Sequence, residues 1–86
     1  MARGTFVNYV KRGVYKVFKN CLFRNEKHFI ECYKEHFPLE FDNISMERVA
    51  EDAFILHVDF GDLQVDMRLK MHKSTKCANY VLDAIE

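Results

Sequence analysis

Two apolar alternations meet at Gly61-Asp62, and they constrain this chain more than any other feature. In residues 53–60 Phe54, Leu56, Val58 and Phe60 share one face; in residues 63–71 Leu63, Val65, Met67, Leu69 and Met71 alternate with Gln64, Asp66, Arg68 and Lys70. A period of two with one apolar face describes half-buried antiparallel strands. Gly61 tolerates positive φ at the first turn position, which suits a two-residue type II′ connection whose twist matches the strands. Such a hairpin needs a second layer over its apolar face. Downstream, Cys77, Ala78, Val81, Leu82 and Ile85 recur at helical spacing behind Ser74, a plausible N-cap, so the spacing predicts a C-terminal helix sharing the hairpin's core.

Upstream, residues 5–23 read as an amphipathic helix. Val7, Val10, Val14, Val17, Phe18 and Cys21 form its apolar side, and Asn8, Arg12, Lys16 and Lys19 line the other. Asn25 can cap a second helix with Phe29, Ile30, Tyr33 and Phe37 as its buried stripe, and Pro38 ends it. A first strand is expected within residues 39–46, anchored by Phe41 and Ile44, followed by a loop at residues 46–52 that carries Glu47, Arg48, Glu51 and Asp52. The expected fold class is α+β, in the order helix, helix, strand, strand, strand, helix: N-terminal helices, a three-stranded antiparallel sheet and a C-terminal helix. A basic helix in residues 1–24 precedes a compact unit in residues 25–86.

Eighty-six residues supply one core. The formal charge is balanced, but residues 1–24 carry six basic and no acidic side chains, while residues 25–86 carry seven basic and thirteen acidic ones. The basic charge is an N-terminal property. Cys21, Cys32 and Cys77 are odd in number and unrelated in spacing, which predicts a reduced chain, cytoplasmic or nuclear. No apolar run approaches a membrane span, and Lys11, Arg12 and Lys16 interrupt the stretch where a signal peptide would be apolar, so neither a membrane nor secretion is expected.

His28, Cys32 and His36 stand four apart, with Cys21 upstream. Residues eight apart on a helix are separated by about 12 Å of rise, too far for one zinc ion with ligands at ~2.1–2.3 Å, and no metal or other cofactor is expected. Asp59-Phe60-Gly61 spells the kinase metal-binding triplet without the phosphate or catalytic loops that give it meaning. His57 projects from the wet face of its strand and can join Asp59 or Asp66 in a charged cross-strand set. No spacing matches a catalytic motif, so neither an enzyme nor a small-molecule substrate is expected. Tyr9, Phe23 and Tyr80 fall off the apolar stripes and are candidates for a partner surface, as are Leu69 and Met71 on a strand that a three-stranded sheet leaves unpaired.

Helix, three antiparallel strands and a helix opening on lysines resemble the double-stranded-RNA-binding domain over residues 26–86. The resemblance rests on Glu31 in the first helix, Pro38-Leu39-Glu40-Phe41 at the first strand, the Gly61-Asp62 turn, and Lys73-Ser74-Thr75-Lys76-Cys77-Ala78-Asn79 at the last helix. In that family RNA is held by shape across two minor grooves. The resemblance implies nucleic-acid contacts from Glu31, Lys73 and Lys76, extended by Arg12, Lys16 and Lys19 of the basic helix. The family's Gly-Pro-x-His loop has no counterpart in residues 46–52, and the acidic balance of residues 25–86 opposes phosphate binding. The resemblance therefore implies a non-catalytic protein-interaction or dimerisation module in RNA processing or RNA silencing, with a protein or a second copy as partner. The alternative is direct binding of double-stranded or structured RNA.

Overall fold

The computed structural model describes residues 3–86, which run as α1 (Arg3–Phe18), β1 (Leu22–Phe23), α2 (Glu26–His36), β2 (Asn43–Ala50), β3 (Ala53–Asp59), β4 (Gln64–Lys73) and β5 (Tyr80–Ile85). The strands form one sheet in the order β1-β5-β4-β3-β2, antiparallel throughout. Its centre is the hairpin that the alternation predicts: Phe54 pairs with Leu69, Leu56 with Met67 and Val58 with Val65, and all six are buried. At the turn Gly61 has φ +86°, and the Phe60 N–H donates to the Leu63 carbonyl at 2.8 Å. The register puts every apolar residue of β4 on one face.

The C-terminal helix does not form. Residues 74–79 make a turn in which the Ser74 N–H donates to the Asn79 carbonyl at 2.7 Å, with Ala78 in the left-handed region at φ +58°, and β5 follows. The cause is a bulge: Met71 pairs with Leu82 but Lys70 pairs with Ala84, leaving Asp83 as the extra residue. Beyond it the inward parity flips, so Tyr80, Leu82 and Ile85 reach the core at a spacing that imitates a helix. The sequence also mispredicts residues 46–52 as a loop. Met46, Glu47 and Arg48 pair with Leu56, Ile55 and Phe54, and only Glu51 and Asp52 form the turn. The fold is α+β, but with five strands and without the predicted three-stranded sheet and terminal helix. Consequently β4 is paired on both sides, and the sheet edges are β1 and β2.

Both helices cover the same sheet face, α1 toward β5 and α2 toward β2. α1 is rich in β-branched residues and carries two glycines, so its propensity is modest and packing must hold it. Val10, Val14 and Phe18 are fully buried at successive turns. It stops at Phe18, short of the predicted residue 23, by tightening: the Cys21 N–H bonds the Phe18 carbonyl at 3.1 Å, and Leu22 and Phe23 enter the sheet against Val81 and Tyr80. Residues 1–24 and 25–86 therefore feed one core. α2 starts where the sequence places it, with the Asn25 side chain accepting from the His28 N–H at 2.8 Å, and Phe37 ends it before Pro38. Phe18, Phe23, Phe29 and Tyr33 form an aromatic cluster with centroids 4.6–6.0 Å apart where the helices meet. Gly13 permits close approach, since a Cβ there would sit 3.3 Å from the Phe37 ring.

Candidate interaction surface

With Val10, Val14 and Phe18 inward, α1 turns Tyr9, Arg12, Tyr15, Lys16 and, just past its end, Lys19 to solvent. Tyr9 is 62% exposed, and Tyr15, Val17 and Leu22 are also exposed, so among the described residues four of the five exposed large apolar side chains lie on α1 or β1; Val49 is the fifth. Among the described residues, no carboxylate lies within ion-pair distance of Arg12, Lys16 or Lys19. These cations stand at i, i+4 and i+7, a spacing at which like charges repel along a helix. Two grooves flank the row. On the α2 side Tyr9, Gly13, Val17, Phe37, Pro38 and Leu39 line a mainly apolar groove of about 290 Å³ with Arg12 and Lys16 at its rim. On the β5 side Lys11, Arg12 and Tyr15 face Asp83, Ala84 and Ile85 across about 420 Å³.

The predicted nucleic-acid set is not brought together as one surface. Arg12 and Lys16 share a groove, whereas Lys73 lines a separate one with Arg48, Glu51, Asp52, His72 and Tyr80, beside two carboxylates. Lys76 is exposed in the turn before β5, and Glu31 is exposed on α2. Neither Lys73 nor Lys76 opens a helix. Of the predicted partner set only Tyr9 is at the surface. Phe23 and Leu69 are fully buried and Met71 and Tyr80 nearly so, because β1 and β5 complete the sheet that the sequence left open at β4. Tyr15 was not singled out in the sequence, Val17 was assigned to the apolar side of the helix but is 37% exposed, and Pro38 and Leu39 were read only as a helix stop and a strand start. Tyr15 was legible on the helix projection, three residues beyond Arg12, but Val17 sits at the boundary of the apolar stripe and Leu39 reads equally well as a strand residue.

The open sheet face carries the other chemistry. His57 lies between two carboxylates, its Nδ1 2.7 Å from Asp66 and its Nε2 3.1 Å from Glu47, so the cross-strand set with Asp66 forms as predicted. These bonds, from Asp66 first, hold the imidazole pKa above its usual value. Asp66 is held below the carboxylate range by donation from the Gln64 amide at 2.9 Å and then by His57. His72 and Asp83 make a second pair at 2.7 Å, created by the bulge that no periodicity announces. At the end of the covered face the Arg48 guanidinium lies over the Phe54 and Tyr80 rings at 5.4 and 5.5 Å and bonds the Glu51 carbonyl at 2.8 Å. That is why an inward position of β2 carries a charge. Cys21, Cys32 and Cys77 are free thiols; burial pushes Cys32 up, and hydrogen bonds from the Asn79 backbone and the Ser74 side chain pull Cys77 down. Among the described residues no helix is long and apolar enough to cross a membrane. Compared with protein-family models, curated protein sequences and solved structures, the chain has no match.

Proposed function

We propose that the chain is a non-catalytic interaction module that engages a protein partner through the outer face of α1. One observation carries this reading: exposed apolar side chains concentrate on α1 and β1, interleaved with cations that, among the described residues, have no carboxylate within ion-pair distance. Tyrosine and arginine are enriched at protein interfaces and supply many of their anchors. The histidines support the same view. Both ring nitrogens of His57 face carboxylates, so neither is free to activate a nucleophile, and Ser45, its neighbour across β2, makes no bond to it.

The RNA setting came with the family resemblance, and the phosphate-binding geometry it implied is dispersed over separate surfaces. Direct RNA binding stays in play through Arg12, Lys16 and Lys19, whose tyrosine neighbours offer faces for base stacking. Two measurements separate the readings. Affinity capture with the wild type and with an R12E/K16E/K19E variant should retain a partner, resistant to nuclease, on the first and lose it on the second, with unchanged circular dichroism. Anisotropy against a duplex of about 20 base pairs should show no binding at near-physiological salt. Tight, steeply salt-dependent duplex binding lost in the same variant would replace the protein reading with the RNA one.

A further inference from the structure

We infer that the groove between α1 and residues 37–39 is the docking site for an acidic protein segment that inserts a bulky apolar side chain. The inference rests on the reading of α1 as the interaction face and names its partner's chemistry. Gly13 lets the Phe37 ring lie against the helix, a Cβ there being 3.3 Å from it, and Phe37 lines the groove with Pro38 and Leu39. Tyr9 and Val17 continue the lining from the α1 side, both exposed to solvent in the free chain. At about 290 Å³, roughly ten waters' share of liquid volume, the space holds one large aliphatic or aromatic side chain and part of its backbone. An apolar occupant displaces water from such a lining, which is favourable.

The rim decides the charge of that occupant. Arg12 and Lys16 stand four apart on one helical face, where they repel; among the described residues no carboxylate lies within ion-pair distance of either, and Asp83, which shares the β5-side groove with Arg12, pairs with His72 instead. Carboxylates flanking the inserted side chain relieve that repulsion and steer the encounter. A duplex satisfies the rim but not the floor, since its bases are stacked inside and only its charged backbone meets the groove. The combination of an apolar floor and a cationic rim selects an acidic segment carrying Leu, Ile or Phe.

The test is a selection of random displayed peptides on the intact chain. The expected winners carry Asp or Glu around a bulky apolar residue. A synthetic winner should bind the R12E/K16E variant roughly tenfold more weakly or worse, the loss expected of two rim ion pairs replaced by repulsion. It should bind V17D and L39D comparably poorly, while replacing its apolar residue with Ala abolishes binding to the wild type. Should L39D fail to fold, V17D and the surface variant R12Q/K16Q carry the test. Winners that are basic, or that bind R12E/K16E as well as the wild type, overturn the inference. Winners lost in Y15D but kept in V17D and L39D overturn the groove and leave α1 standing as the interaction face. Winners that map away from α1, or no enrichment, overturn both.

Discussion

The two faces of the sheet are made by the same strands and hold together by different physics. Along β4, Val65, Met67, Leu69 and Met71 are at most 2% exposed, whereas Asp66, Arg68, Lys70 and His72 between them lie open. On the covered side the described residues include no buried polar or charged one, and the Tyr33 hydroxyl is the one buried side-chain polar atom without a partner. On the open side the polar groups pair sideways, His57 with Asp66 and Glu47, His72 with Asp83, Arg68 with Glu86 at 3.8 Å. Burial of apolar surface is worth far more than exposed ion pairs. Cohesion therefore belongs to the covered face, and the open face contributes register and titratable charge.

The largest test uses two adjacent residues of β5. Leu82 is 3% exposed and faces the helices; Val81 pairs with His72 on the open side. Leu82→Asp buries an unpaired charge at a cost of several kcal/mol against a total stability of ~5–15, so cooperative thermal melting should vanish. Val81→Asp should fold and lose about 1 kcal/mol or less, a matter of strand preference. Equal damage from both would put the two side chains on one stripe, as a helix does, and break the distinction between the faces.

Next come the rings that cover the sheet. Phe18 of α1 and Phe29 of α2 are fully buried with centroids 5.2 Å apart. Each change to Ala should cost about 3–5 kcal/mol in urea unfolding. Because the rings touch, the double variant should depart from additivity. A loss under about 1 kcal/mol for Phe18→Ala would mean that α1 barely contributes to the cover. Tyr33→Phe sharpens the contrast from the other direction. Its ring packs against Phe18, Phe37 and Phe41, and its hydroxyl is buried without a partner and raised in pKa by burial, so removing it should gain roughly 1 kcal/mol. A clear destabilisation would reveal a buried water bonded to it.

What the sequence showed follows the same division. The β3–β4 hairpin was legible because both strands are central, so their alternation is complete, and α2 because its cap and its proline bracket an unbroken stripe. β2 was half legible. An edge strand needs fewer inward anchors, and its third inward position is filled by Arg48 stacked on two rings. β5 was illegible because one bulged residue, Asp83, converts a period of two into an apparent helical spacing, and β1 is two residues long. The candidate site was legible in its cations and Tyr9, which local periodicity places. Its floor was not, because Phe37, Pro38 and Leu39 meet α1 only through tertiary packing.

The smallest expected effect lies on the open face and is a function of pH. His57 reaches both carboxylates best as the imidazolium, which donates from both nitrogens; the neutral ring can donate from only one. With its pKa raised above the usual 6.5, His57 contributes in full below that value and loses its contribution as pH rises through the raised one. Asp66, lowered from 3.8, behaves oppositely: its contribution is present above that value and disappears as pH falls through the lowered one. The set therefore stabilises most between these two ordinary values. Its side chains are 30%, 55% and 61% exposed for His57, Asp66 and Glu47, so solvent and salt keep the effect small. Comparing melting temperatures of the wild type and His57→Gln isolates it, since every other side chain is common to both. The wild type's advantage should shrink by about 1–4 °C between about pH 5.5 and about pH 8.5. An advantage that stays constant across that range would mean that the imidazole holds the three strands in register without changing its charge.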